Sequence, residues 1–152
     1  MVTNRVGNAI DCFHSGYNCS QAVAMAFAAD SKILPDIVLQ AAAGFGGGYG
    51  HNDGPCGAVS GGILVIGLLL RSSHPEGEMK KQLYHLTRQY IEQIQDRLPS
   101  LQCTDLCGYN ISNDEELQKA RNVNVFREKY DLYVVTYVEI LENLAIHHHL
   151  IQ

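Results

Sequence analysis

Apolar residues recur at helical spacing through most of the chain. The clearest series is Met79, Leu83, Leu86, Tyr90 and Ile94, at spacings of four, three, four and four residues. This spacing places the side chains on one face of a helix. The opposite face of the same segment carries Lys80, Lys81, Arg88, Glu92 and Asp96. No segment alternates as a half-buried strand would, so the chain is predicted to be all-α.

Capping and helix-breaking residues divide this pattern into separate helices. Asn18 has the chemistry of an N-cap, and Pro35 fits the first turn of a helix. The last helix is predicted to turn Tyr130 and Tyr137 inward as core residues. In order, the predicted helices are 3–14, 19–29, 35–43, 55–71, the segment between Pro75 and Pro99, 100–107, a short helix from 113, and 124–147.

The helix predicted to begin near Cys56 is apolar on nearly every side. A helix of this kind is normally buried, so we expect it at the centre of a compact helical bundle. Gly57 and Gly61 lie four residues apart on it, and small residues at that spacing let a neighbouring helix approach closely. A strand over residues 63–66 is the alternative for part of this segment.

Composition indicates an ordinary globular protein of one domain, residues 1–152. With 46% hydrophobic and 18% charged residues, a chain of this length can bury a core without disulfides. Eleven basic against sixteen acidic residues give a net charge of −5, which argues against nucleic acid and anionic membranes as partners. The longest apolar stretch, 58–70, is shorter than the roughly 20 residues of a membrane span. No signal-peptide pattern is present, so we expect a cytoplasmic protein.

Ten of the fourteen glycines lie between Gly44 and Gly67. Residues 44–55 are predicted to form a loop with backbone conformations that other residues avoid, or with close approach of another backbone. A phosphate-binding loop is the alternative, but neither G-x-x-x-x-G-K-[ST] nor G-x-G-x-x-G is present. The preferred interpretation is a backbone that approaches Cys56 and donates N–H groups to sulfur. On that interpretation, the predicted cofactor contacts are Gly46, Gly47, Gly48 and Gly57.

Two of the five cysteines, Cys19 and Cys56, open predicted helices. The free N–H groups and the positive dipole end of a helix start stabilise a thiolate, which attacks disulfides and binds soft metals. Cys103 and Cys107 are four residues apart and would share a helix face, where they could bind one metal ion or face a common cluster. Cys12 has apolar neighbours and is expected in the core. The cysteines are thus compatible with two interpretations: redox or metal chemistry, or simple burial in the core.

Three ordered motifs resemble those of the C-GCAxxG-C-C family of redox-active proteins. Residues 13–23, FHSGYNCSQAV, resemble the opening motif of the family. Residues 44–50 and 56–62 resemble its Gly-rich loop and its central CGAxxG motif, and residues 103–106 resemble its third cysteine segment. The resemblance covers nearly the whole chain and implies a mostly helical domain with redox-active cysteines. A related domain in a multihaem cytochrome suggests an iron–sulfur cluster bound by such cysteines.

By this resemblance, the reactive and metal-binding positions are Cys19, Cys56 and Cys103. The fourth cysteine of the family is expected near residues 129–135, where this chain reads KYDLYVV. Either Cys107 replaces it as a metal ligand, or a cluster has only three thiolates, or this member has lost the cofactor. The candidates for a ligand other than cysteine are His51 and Asp53.

Three functions are compatible with the sequence. The first is an electron-transfer protein with an iron–sulfur cluster or a metal ion bound by the cysteines named above. The second is a metal-free thiol–disulfide redox protein, and the first two both call for an unidentified redox partner protein. The third is a non-enzymatic helical accessory module, whose small-residue helix and aromatic last helix would build a homodimer face. Whether the chain is an enzyme is left open.

Overall fold

The computed structural model describes residues 3–73 and 76–152. Within these residues the chain is helical and has no strand, which confirms the predicted all-α fold. The predicted start of the fifth helix at His74 and Pro75 lies outside the described residues. The helices are α1 (Arg5–His14), α2 (Cys19–Ala26), α3 (Ala28–Ser31), α4 (Pro35–Ala42), α5 (Gly57–Ser73), α6 (Glu76–Arg97), α7 (Cys103–Cys107), α8 (Asp114–Asn122) and α9 (Val125–His147).

Several helix boundaries differ from those predicted, among them the start of α7, which is predicted at residue 100 and lies at Cys103. The helix expected over 19–29 is interrupted at Phe27, whose φ of −113° is not helical, so the segment forms α2 and α3. The helix expected from Cys56 begins one residue later, at Gly57. The alternative of a strand over 63–66 is wrong, because these residues lie inside α5.

The apolar helix α5 lies at the centre of the bundle, as predicted. It packs against α2 on one side and α6 on another, and it also contacts α9. Gly61 makes the first contact possible, because a Cβ there would lie 2.6 Å from the Ser20 carbonyl oxygen. Gly62 allows the second, since a Cβ there would overlap the ring of the buried Tyr90. The small residues of α5 therefore pack within the chain itself.

Among the described residues, no helix is both long enough and apolar enough to cross a membrane.

The Gly-rich segment forms a left-handed turn rather than an extended loop. Residues 47–50 have φ between 61° and 67°, and Tyr49 shares this conformation with its glycine neighbours. A left-handed helical backbone costs an L-residue with a side chain roughly 1–2 kcal/mol, and glycine avoids that cost. Within the glycine cluster, Gly47, Gly48 and Gly50 have the unusual backbone angles that are predicted for this segment.

A short antiparallel bridge joins the segment before α5 to the segment before α7. It pairs Pro55 with Gln102. The N–H of Cys56 donates to the Leu101 carbonyl over 2.7 Å, and the N–H of Cys103 donates to the Gly54 carbonyl over 3.2 Å. The bridge therefore holds two cysteines side by side although they are far apart in sequence.

Replacing Gly61 by alanine should destabilise the fold, because the new methyl group would press on the α2 backbone. Overpacking of this kind costs about 1–3 kcal/mol. Gly67→Ala is the matched control on the same helix, since a Cβ there would meet only the Leu83 side chain at 4.0 Å. Loss of a mid-helix glycine should stabilise that variant by up to about 1 kcal/mol. Urea unfolding measures the stability of both variants. Equal unfolding midpoints for Gly61→Ala and Gly67→Ala would contradict the close packing of α2 on α5.

Candidate functional site

The first turn of α2 is held in place by a capping box. The Asn18 side chain accepts from the N–H of Gln21 over 3.0 Å, and the Gln21 side chain accepts from the N–H of Asn18 over 3.1 Å. The same side chains donate onward to the carbonyls of Ala43 and Leu39, at 2.9 and 3.0 Å. The predicted N-cap at Asn18 is confirmed. These bonds fix Cys19, the first residue of α2, against the segment that leads into the left-handed turn.

Cys19 is buried, and its sulfur faces a set of hydrogen-bond donors. The neighbouring Cys56 thiol lowers the pKa of Cys19 most, whereas burial raises it. The N–H groups of Gly47, Ala58 and Gly57 lower it further, and the resulting pKa is about 7. Glycine is required at position 57, because a Cβ there would lie 2.9 Å from the Cys19 sulfur. Cys19 therefore ionises more readily near neutral pH than an ordinary cysteine.

Cys56 lies immediately before α5 and is fully buried. Its hydrogen bond with Cys19, together with burial, raises the pKa of Cys56 well above its usual range. The Tyr137 hydroxyl, on α9, is buried without a hydrogen-bond partner, and burial followed by the charge of Cys56 raises its pKa. The two cysteines of the pair thus differ in charge: Cys19 carries the negative charge and Cys56 keeps its proton.

Cys103 begins α7 and is also buried. Its sulfur lies 3.2 Å from the Tyr130 hydroxyl, and burial raises the pKa of Cys103 to about 12. Gly48 packs directly on it, since a Cβ at Gly48 would lie 3.2 Å from the Cβ of Cys103. Cys103 is close enough to Cys19 and Cys56 for their charges to affect one another, and it is a neutral thiol at pH 7.

Cys107 lies at the end of α7, and its thiol bonds to nearby backbone. It donates to the Tyr109 carbonyl over 3.2 Å and accepts from the Tyr109 N–H over 3.4 Å. Burial raises the pKa of Cys107 and of Cys12. Cys12, which is expected in the core, is half-buried and packs against the core from α1. Within residues 3–73 and 76–152, no three His, Cys, Asp or Glu side chains come together as a group that could bind a metal ion.

The remaining predicted site residues lie around the left-handed turn. Gly46 packs on the Asn18 side chain, and the His51 ring lies over Gly47, where a Cβ would meet its Cδ2 at 2.5 Å. The charge of Asp53 is a minor contribution to the raised pKa of Cys103. The four glycines predicted as cofactor contacts thus surround Cys19 and Cys103, and their cofactor role stays a prediction.

Two tyrosines and an arginine belong to this site and were missed as functional residues. Tyr130 and Tyr137 are predicted only as core residues, yet the Tyr130 hydroxyl lies 3.2 Å from the Cys103 sulfur, and the Tyr137 hydroxyl is buried near Cys56 without a hydrogen-bond partner. The available signal was the hydroxyl itself, because a buried tyrosine normally needs a polar partner. Arg121 follows from no motif, and only the fold brings it to the site.

A cavity of about 360 Å³ opens onto this site. Cys19 and Cys103 line it, together with Tyr130 and Arg121, whereas Cys56 does not. A molecule entering from solvent therefore meets the Cys19 sulfur before it meets that of Cys56.

The comparisons with known proteins agree with this chemistry. Residues 17–143 match the model of the family described as "Putative redox-active protein (C_GCAxxG_C_C)", a range that includes Cys19, Cys56, Cys103 and Cys107. No curated protein and no solved structure matches the chain significantly. With most of its length matched, and with its motif cysteines gathered beside the glycine turn, the chain belongs to this family of redox-active proteins.

Proposed function

We propose that the chain is a thiol–disulfide redox protein in which Cys19 and Cys56 cycle between a dithiol and a disulfide. The observation that carries the proposal is the packing of the Cys19 sulfur against Gly57, the residue after Cys56, which brings two buried cysteines close enough for each to shift the pKa of the other. Thiol–disulfide exchange needs a thiolate that attacks and a second thiol close enough to displace the first product. The Cys19–Cys56 pair supplies both.

The environments of the two sulfurs suggest their roles. Cys19 attacks, because its pKa near 7 is close to the optimum for a thiol working at neutral pH. Cys56 resolves: its thiol loses a proton and attacks the Cys19 sulfur of the mixed disulfide, which releases the substrate thiolate.

The alternative is an iron–sulfur cluster or metal ion on Cys19, Cys56 and Cys103, the positions that the family resemblance implies, with Cys107 as the candidate fourth ligand. The side chains as arranged do not fit a four-thiolate centre. The Cys107 sulfur bonds to the backbone of Tyr109, and no metal-binding group of three side chains forms within the described residues. The cofactor assignment therefore stays a prediction of the resemblance.

Alkylation of Cys19 by iodoacetamide should accelerate as the pH rises through about 7. Below that pH the sulfur is protonated and unreactive, and above it the thiolate predominates. Cys56→Ala removes the strongest stabilising donor and should raise the apparent pKa of Cys19, whereas Cys56→Ser keeps a donor and should raise it less. Mass spectrometry of the Cys19 peptide gives the rates. An unchanged apparent pKa in Cys56→Ala would contradict the pairing.

Mild oxidation should lower the intact mass by about 2 Da, the loss of two hydrogens that accompanies one disulfide. Peptide mapping should find the bond between Cys19 and Cys56. Cys56→Ser should abolish it, and Cys107→Ser, the control, should leave it intact because the Cys107 thiol bonds elsewhere. A disulfide that joins Cys103 to either residue, or no mass change under oxidant, would refute this assignment of the pair.

Protein purified without oxygen from iron-replete cells should contain little iron or acid-labile sulfide, because the cysteine arrangement does not fit a four-thiolate centre. The measurements are a visible absorption spectrum and chemical analysis of iron and sulfide. Cys107→Ser distinguishes the two functions. A coloured protein with stoichiometric iron and sulfide, both lost in Cys107→Ser, would establish the cluster alternative instead.

A further inference from the structure

The cavity beside Cys19 has the dimensions of a small-molecule site. Its volume of about 360 Å³ falls within the range of roughly 300–1,000 Å³ typical of ligand pockets. Cys19 is only 5% exposed and Cys103 only 1%, so the surface of a large folded partner cannot contact either sulfur without inserting a segment. The access route therefore favours a compact molecule.

The charge of the cavity wall selects among compact molecules. Arg121 lines the cavity and makes no ion pair within the described residues. No Asp or Glu of the described residues lines it. The rest of the wall is largely apolar, with Phe13, Leu117 and Phe126. Although the net charge of the chain is −5, Arg121 thus places a positive charge beside an apolar surface in this cavity.

We propose that this cavity is a substrate site for a small disulfide that carries a carboxylate, with Arg121 binding the carboxylate and Cys19 attacking the disulfide. The assignment rests on the proposed thiol–disulfide function and adds the class of substrate to it. An arginine guanidinium binds a carboxylate through parallel hydrogen bonds, which gives orientation as well as affinity. The apolar wall contacts the carbon skeleton of the substrate.

The reaction balances without a further reactant. The Cys19 thiolate attacks one sulfur of the substrate, the substrate S–S bond breaks, and the other half leaves as a thiolate. The Cys56 thiol gives up its proton and attacks the Cys19 sulfur, which expels the second half. The pair is oxidised to the Cys19–Cys56 disulfide, and the substrate disulfide is reduced to two thiolates, one of which takes up the proton that Cys56 releases.

The test uses two chromogenic disulfides of opposite character: 5,5′-dithiobis(2-nitrobenzoate), which carries two carboxylates, and 4,4′-dithiodipyridine, which carries none. Both are reacted with the full chain in a Cys12→Ser background, which removes the half-buried cysteine outside the site. Arg121→Gln should slow the reaction with the dicarboxylate by about 3- to 10-fold and leave the neutral probe unaffected. Lys119→Gln, with the same charge change on the same helix but outside the cavity wall, is the control.

The outcomes separate this inference from the proposed function. A selective loss with the dicarboxylate in Arg121→Gln, absent from Lys119→Gln, supports the site. Equal changes in both variants, or equal changes with both probes, overturn the role of Arg121, while formation of the Cys19–Cys56 disulfide would still support the proposed function. If neither probe yields that disulfide by peptide mapping, the proposed function fails and this inference fails with it.

Discussion

The left-handed turn of residues 47–50 is the constraint on which the site depends. Its backbone angles direct the Gly47 N–H at the Cys19 sulfur and bring Gly48 against Cys103 and the Gly54 carbonyl. Side chains at these glycines would collide with the chain and would also be strained at positive φ. The turn therefore acts as a rigid backbone surface against which both cysteine segments are packed.

Local hydrogen bonding decides which of three neighbouring buried cysteines is charged. The Cys56 thiol and the N–H groups of Gly47, Ala58 and Gly57 stabilise the Cys19 thiolate, and together they lower its pKa by more than burial raises it. Cys103 has the Tyr130 hydroxyl as its principal donor. Burial raises the pKa of Cys103 by more than this hydroxyl lowers it. One reactive sulfur among protonated neighbours follows from this difference in the number of donors.

Much of this could be predicted from the sequence, because the relevant signals are local. Periodicity and the Asn18 cap define the helices, and the start of α2 identifies Cys19 as a thiolate position. The direction of the Cys107 sulfur could not be predicted, since it depends on how the chain turns after α7 and presents the Tyr109 backbone. The contact of Tyr130 also lay beyond the sequence, because its hydroxyl meets Cys103 only through the packing of α9 against α7.

The amide donors around Cys19 also bear on the direction of electron flow. They stabilise the thiolate of the reduced protein, and in the proposed cycle that stabilisation is lost when Cys19 becomes part of an uncharged disulfide. A fold that favours the reduced form raises the reduction potential of the pair, at about 30 mV for each 1.4 kcal/mol. In the proposed cycle, the donors of the glycine turn and of the start of α5 therefore raise the reduction potential of the pair relative to the same pair without them.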